Sequence, residues 1–343
     1  MDQNKTSDIK GKVCVTGAAG FVGSWIVKRL LELGYHVAGI KPKTVGAIYW
    51  NLPTIRSPIM GDYKKIGHLW ELEGAKERLH LSKADLNEEG SFDDAIMGCE
   101  GVFHLASVVL IPKSDPKAEV LDPAVRGTLN VLQSCKKNPF LKKVVLTSSI
   151  SAVARPSVYP KEPLDETSWS CAELCEKLKA WYPLSKVLAE QAAWKFAKEN
   201  NINLVTVIPS FIIGSSLPYN LHTTASNVLS LLKGENETFA WHGRMGYVHI
   251  DDVASCHIKV YEDDTAEGRY LCTSTVLEGP ELAAFLAKRY PWLPISLSFN
   301  DYVQKHPFEY NTSKVQKLGI KFKGIEEMFD DCIQSLKEQG HLP

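Results

Sequence analysis

The stretch Thr16-Gly17-Ala18-Ala19-Gly20-Phe21-Val22-Gly23 restricts the fold more than any other part of the chain. It follows the apolar run Val13-Cys14-Val15 and opens a helical pattern that reaches Leu33. A glycine turn between strand and helix leaves the first N–H groups of the helix free to hold a pyrophosphate. Its glycines allow a tight turn, a close backbone approach and the packing of helix on strand. Short β-branched runs at 79–84, 102–105, 144–147 and 204–208 then alternate with longer amphipathic stretches. Strands alternating with helices predict right-handed crossovers and a parallel sheet covered on both faces, which is a doubly wound α/β architecture.

The alternation places an NAD(P)-binding Rossmann domain over about residues 10–210. Past Pro209 it breaks into loops and Pro-interrupted segments, so residues 211–343 are expected to form a smaller, mixed substrate lobe over the strand ends, with about 246–262 packing back on the first domain. The chain ends on Ile325–Glu338, apolar at Ile325, Met328, Phe329, Ile333 and Leu336, the stripe of a surface helix. A formal charge of -1 gives no field for nucleic acid or an anionic membrane, which leaves a small molecule as the expected partner. The N-terminus is polar, and no run approaches the roughly 18 apolar residues of a spanning helix. A cytoplasmic location follows, with the surface of the endoplasmic reticulum as a place of association. The eight cysteines are scattered, several inside apolar runs, as suits reduced buried thiols. Cys171 and Cys175 could share a helix face, but no neighbouring Cys or His completes a zinc set.

The glycine spacing resembles the T-G-x-x-G-x-x-G of the short-chain dehydrogenase/reductase superfamily. That resemblance implies a Tyr-x-x-x-Lys pair after the fifth strand, and Tyr182-Pro183-Leu184-Ser185-Lys186 supplies it. Residues four apart lie on one helix face, so both side chains can enter one cleft. Pro183 is tolerated if it lies in the first turn, where an N–H has no partner to lose. An ammonium ~4 Å from a phenolate, at an effective dielectric of ~20, favours the phenolate by about 4 kcal/mol, enough to bring a tyrosine proton into play near neutral pH. Tyr182 is then the general acid towards a carbonyl oxygen that gains charge as hydride arrives, with Lys186 beside it. Ser149, or else Ser148, would hydrogen-bond that oxygen.

At the end of the second strand an acid reads the ribose of NAD, whereas a cation accepts the 2′-phosphate of NADP. From Gly39 to Gly61 there is no acid, but Lys41, Lys43 and Arg56 are present, so NADP(H) is the expected cofactor. Thr54-Ile55-Arg56-Ser57-Pro58 matches the strand end of relatives, which would make about 40–53 an insertion and give the phosphate to Arg56. The simpler reading runs the strand from His36 to Lys41, ends it at Pro42 and gives the phosphate to Lys41 or Lys43. The apolar tip Val45–Trp50 reads as a surface loop, a spliced segment, or a partner-binding or membrane-touching loop. Asp85, which closes the third strand, either contacts adenine with Leu86 or caps the next turn. His222 and His242 are expected as structural hydrogen-bonders, and Trp241 and Phe211 either line an acyl channel or belong to the core.

Long stretches resemble a plant group within that superfamily: the dihydroflavonol, cinnamoyl-CoA and tetraketide α-pyrone reductases. They include Leu184-Ser185-Lys186-Val187-Leu188-Ala189-Glu190-Gln191, Trp241-His242-Gly243 and Met245-Gly246-Tyr247-Val248-His249-Ile250-Asp251-Asp252. The resemblance is closest to the tetraketide α-pyrone reductases of sporopollenin synthesis in the pollen wall. It implies NADPH-dependent reduction of a ketone on an alkyl tetraketide α-pyrone, with weak association among enzymes of the pathway. It also implies cofactor contacts from Gly17, Ala19, Gly20, Phe21, Val22, Gly23, Leu86, Ala106 and Pro209, besides Tyr182 and Lys186. Ala180-Trp181-Tyr182-Pro183-Leu184-Ser185-Lys186 departs from the N-W-Y-C-Y-G-K of cinnamoyl-CoA reductases, against a CoA thioester substrate. His104-Leu105-Ala106-Ser107-Val108 departs from the group's H-T-A-S-P. The competing readings are a reductase of flavonoids, cinnamoyl-CoA or aromatic aldehydes, and a cofactor-binding regulator without turnover.

Overall fold

The computed structural model describes residues 10–43, 65–107, 112–160, 162–300, 302 and 306–343. Strands β1 (Lys12–Thr16), β2 (His36–Pro42), β3 (Leu79–Ala84), β4 (Gly101–His104), β5 (Lys143–Thr147) and β6 (Leu204–Pro209) join β9 (Gly268–Cys272) in one seven-stranded sheet. The order is β3-β2-β1-β4-β5-β6-β9, and every pairing is parallel. Helices cover both faces, which is why the central strands are continuous apolar runs: Val13, Val102, Val144 and Val205 are fully enclosed. The strand order reverses at β1, between β2 and β4, and opens a crevice at their C-terminal ends, where Thr16 lies opposite His104.

β2 runs without a break through Ile40, Lys41 and Pro42, each paired with β3. Ile40 is 2% exposed, and a cut there would leave ladder groups unpaired inside the protein. The insertion expected from about residue 40 therefore does not begin within the strand. Its residues 44–53, and Arg56 beyond them, lie outside the described residues.

A small second sheet holds β7 (Phe211–Ile213), β8 (Met245–His249) and β10 (Thr275–Leu277) in the order β10-β8-β7. The terminal helix Ile325–Glu338 packs on it and buries Ile325, Met328, Phe329, Cys332, Ile333 and Leu336. The helix Ile250–Glu262 crosses back to pack on the first helix, Phe21–Glu32, and both belong to one apolar core. Because β9 also returns, to pair with β6, a division of the chain at residue 210 does not divide the large sheet.

Candidate active site

The glycine turn is built as its spacing requires. Gly17 has φ of +70°, and Gly20 caps the first helix with no side chain over its N–H groups and no acidic residue in the first turn. A Cβ on Gly23 would stand 2.1 Å from Gly17 O, so only glycine lets the helix start this close to the turn. These features fit a dinucleotide pyrophosphate: open backbone donors, a close approach and no competing carboxylate.

Thr16 joins this turn to the end of β4. Its Oγ1 accepts the N–H groups of Leu105 and Ala106, each at 3.0 Å, and lies 2.8 Å from His104 Nδ1. The hydroxyl's one proton then goes to Nδ1, and His104 carries its own on Nε2. Burial, with Lys186's charge added, holds His104 down at about 3. It is a neutral, oriented donor at neutral pH.

Tyr182 and Lys186 lie on the helix Trp181–Glu199, where Pro183 falls in the first turn. Lys186 Nζ stands 5.6 Å from the Tyr182 ring centre and donates to Ser107 Oγ at 3.1 Å. The ammonium is thus tied to the loop after β4 as well as to its own helix. The two serines after β5 are not equivalent. Ser148 Oγ donates to Glu190 at 2.6 Å and is spent. Ser149 Oγ accepts the Ser151 N–H at 3.2 Å, which leaves its proton for another oxygen.

Glu190, one turn beyond Lys186, is 1% exposed and pairs with Arg269 of β9, itself 7% exposed, at 2.8 Å. Arg269 also donates to the carbonyls of Glu166 and Ser168 at 2.9 and 2.7 Å, and its guanidinium lies 3.7 Å from the centre of the Trp169 ring. One buried charge pair therefore holds together the Tyr182 helix, the serine turn and the edge strand β9. A small cavity lined in part by His104, Ala106, Ser107, Ser148 and Lys186 lies beside it.

The remaining expected residues divide. Lys41 lies next to the end of β2, at the C-terminal edge of the sheet, and Lys43 pairs with Glu88 at 2.6 Å on the surface. Asp85 Oδ1 accepts the Asn87 N–H at 2.9 Å, the turn-capping alternative. Leu86 packs towards Gly127, and Pro209 closes β6. His242 Nδ1 donates to the Thr238 carbonyl at 2.6 Å, and His222 caps the helix Thr223–Leu232. Phe211 packs on Phe239 and Tyr247 in the lobe core, while Trp241 is 55% exposed. Ser107, His104, Glu190 and Arg269 received no role from the sequence. Glu190 could have been found from its place four residues after Lys186, but Arg269, distant in sequence, carries no local signal.

The model of the NAD dependent epimerase/dehydratase family matches residues 13–272. Over 334 residues the chain is 60% identical to tetraketide alpha-pyrone reductase 1 of Arabidopsis thaliana, and the match covers 97% of each chain. Its structure is similar to that of vestitone reductase from alfalfa (Medicago sativa), with a TM-score of 0.78, 36% identity, and 97% and 100% of the two chains covered. It is also similar to a yeast methylglyoxal/isovaleraldehyde reductase complexed with NADPH, with a TM-score of 0.76, 25% identity, and 96% and 100% covered.

Proposed function

The chain belongs to the NAD dependent epimerase/dehydratase family, and from that premise we propose that it reduces a ketone on an alkyl tetraketide α-pyrone to the hydroxyl, with NADPH as reductant. The observation that carries this reading is the 60% identity, spread over 97% of both chains, to a relative named for that reaction. The site supports it. NADPH, when bound, supplies the hydride. The N–H groups of the first helical turn after Gly20 would hold the pyrophosphate, and Lys41 would meet the 2′-phosphate as a point charge. Ala106, Leu86 and Pro209 flank the cofactor at the strand ends. Tyr182 delivers its proton to the carbonyl oxygen, Lys186 stabilises the charge left on the phenol, and Ser149 donates a hydrogen bond to the same oxygen. Lys186, tied to Ser107, keeps its charge in place through the cycle.

Among the described residues no helix is long and apolar enough to cross a membrane. We place the enzyme in the cytoplasm, loosely associated with others of its pathway and with the surface of the endoplasmic reticulum.

The test is NADPH consumption with an alkyl tetraketide α-pyrone, run beside a dihydroflavonol, cinnamoyl-CoA and an aromatic aldehyde. Turnover of the pyrone above the others is the expected result. Preferential turnover of another compound overturns the substrate, and no turnover of any leaves the regulator reading.

A further inference from the structure

The substrate lobe is fastened to the first helix and to Glu71 by residues 215–222. Trp25 Nε1 donates to the Ser215 carbonyl at 2.9 Å, and the Tyr219 hydroxyl donates to Glu71. The His222 ring stacks on Phe21 with centres 3.6 Å apart and planes inclined by 15°. Phe21 is the first residue of its helix, and His222 is the cap of the helix Thr223–Leu232. Two helix N-termini, neither with an acid in its first turn, therefore come together at this stack.

The proton on His222 is fixed by its partner. Nδ1 accepts the N–H of Ala225 at 3.3 Å, so the ring is neutral and Nε2 carries the hydrogen. Burial holds the ring's titration down at about 3. Yet Nε2 is buried and, among the described residues, has no hydrogen-bond partner. An enclosed N–H calls for an acceptor. Next to Phe21, at a helix start that no side chain caps, the acceptor that fits the surrounding positive ends is an anionic oxygen.

We propose that His222 is a cofactor-binding residue whose Nε2–H donates to a pyrophosphate oxygen of NADPH, so that the lobe and the dinucleotide domain grip the same group. The proposal rests on the NADPH reading above but not on the identity of the substrate. It makes the cofactor part of the joint between the two halves.

The test uses the full chain without substrate. The dissociation constant for NADPH is measured by quenching of tryptophan fluorescence, and that for adenosine 2′-monophosphate, which lacks the pyrophosphate, by competition. His222→Asn keeps a good helix cap but cannot reach as far, and His222→Phe keeps the ring stack but has no donor. Both should weaken NADPH about tenfold and leave adenosine 2′-monophosphate unchanged, with the ligand-free melting temperature of His222→Asn close to that of the wild type. Wild-type affinity for NADPH in either variant overturns the proposal. So does an equal loss of both ligands, which marks a collapsed site. If His222→Asn does not fold, His222→Phe decides alone. A wild-type protein that binds no NADPH defeats the cofactor reading and this proposal together, whereas failure to reduce a pyrone leaves this proposal standing.

Discussion

Tyr182, Lys186 and Glu190 stand at successive turns of one helix, and the last two are held by groups outside it: Lys186 by Ser107, Glu190 by Arg269 and Ser148. This is why the chemistry can be removed without disturbing the frame. Tyr182→Phe deletes one hydroxyl and should lower kcat by about 10²–10⁴-fold while the dissociation constant for NADPH stays put. Steady-state kinetics beside a fluorescence titration would show it, and an unchanged kcat would take Tyr182 out of the reaction. Glu190 differs in kind. Glu190→Gln leaves the buried Arg269 without a counter-charge, a loss of about 3–5 kcal/mol, and should lower the urea midpoint accordingly. Replacing both with apolar residues, Glu190→Leu with Arg269→Met, should recover most of that loss because no charge is then left unpaired. A double variant as unstable as the sum of the two single replacements would show that the two do not act as a pair.

At the scale of elements, the turn between β1 and the first helix is set by contact distance. Gly23→Ala would put a methyl group 2.1 Å from Gly17 O and 2.8 Å from Gly17 C, both backbone atoms that cannot swing aside. The helix start must then move off the turn. At about 1–3 kcal/mol of overpacking, NADPH affinity should fall roughly ten- to a hundred-fold, while sheet content, followed by circular dichroism, changes little. Unaltered affinity would mean that the turn does not hold the pyrophosphate. This turn was legible in the sequence because its cause is local, as were the Tyr182–Lys186 spacing and the stripe of Ile325–Glu338. What was not legible depends on partners distant along the chain. Gly268–Cys272 is one short run in an irregular half, and nothing in it names β6 as its neighbour. The end of β2 had two candidates until the ladder with β3 carried Ile40, Lys41 and Pro42 into the strand. His222 was expected as a structural hydrogen-bonder and it does cap its helix, but the use proposed for its second nitrogen depends on the lobe folding back on Phe21.

The whole molecule keeps several histidines neutral inside it, and this sets its response to acid. Burial lowers His104 and His222 to about 3 and His257 to about 4. All three are held as hydrogen-bonded neutral rings, His257 between Thr147 and the Val253 carbonyl at 2.8 and 2.7 Å. In the unfolded chain each would titrate near ~6.5. Their folded values are depressed, so the stability they contribute is complete above about pH 6.5 and is lost as pH falls towards the folded values. Each group removes up to ~1.4 kcal/mol per pH unit over that window. Asp252 acts in the opposite sense. Burial raises it to about 6, so below that pH the folded state binds a proton that the unfolded state does not yet take up, which offsets roughly one of the three. His68, which burial also lowers to about 4, is a fourth such group, and a net loss of about 4 kcal/mol per unit, set against a total stability of ~5–15 kcal/mol, predicts cooperative unfolding between roughly pH 3 and 5.5. The melting temperature should be level from pH 8 to 7 and fall steeply below 6. His257→Gln, which keeps a donor and an acceptor but cannot titrate, should move the acid midpoint lower. A melting temperature that held level to pH 4.5, or a midpoint that His257→Gln did not shift, would mean that these rings are reached by water or protonated without unfolding.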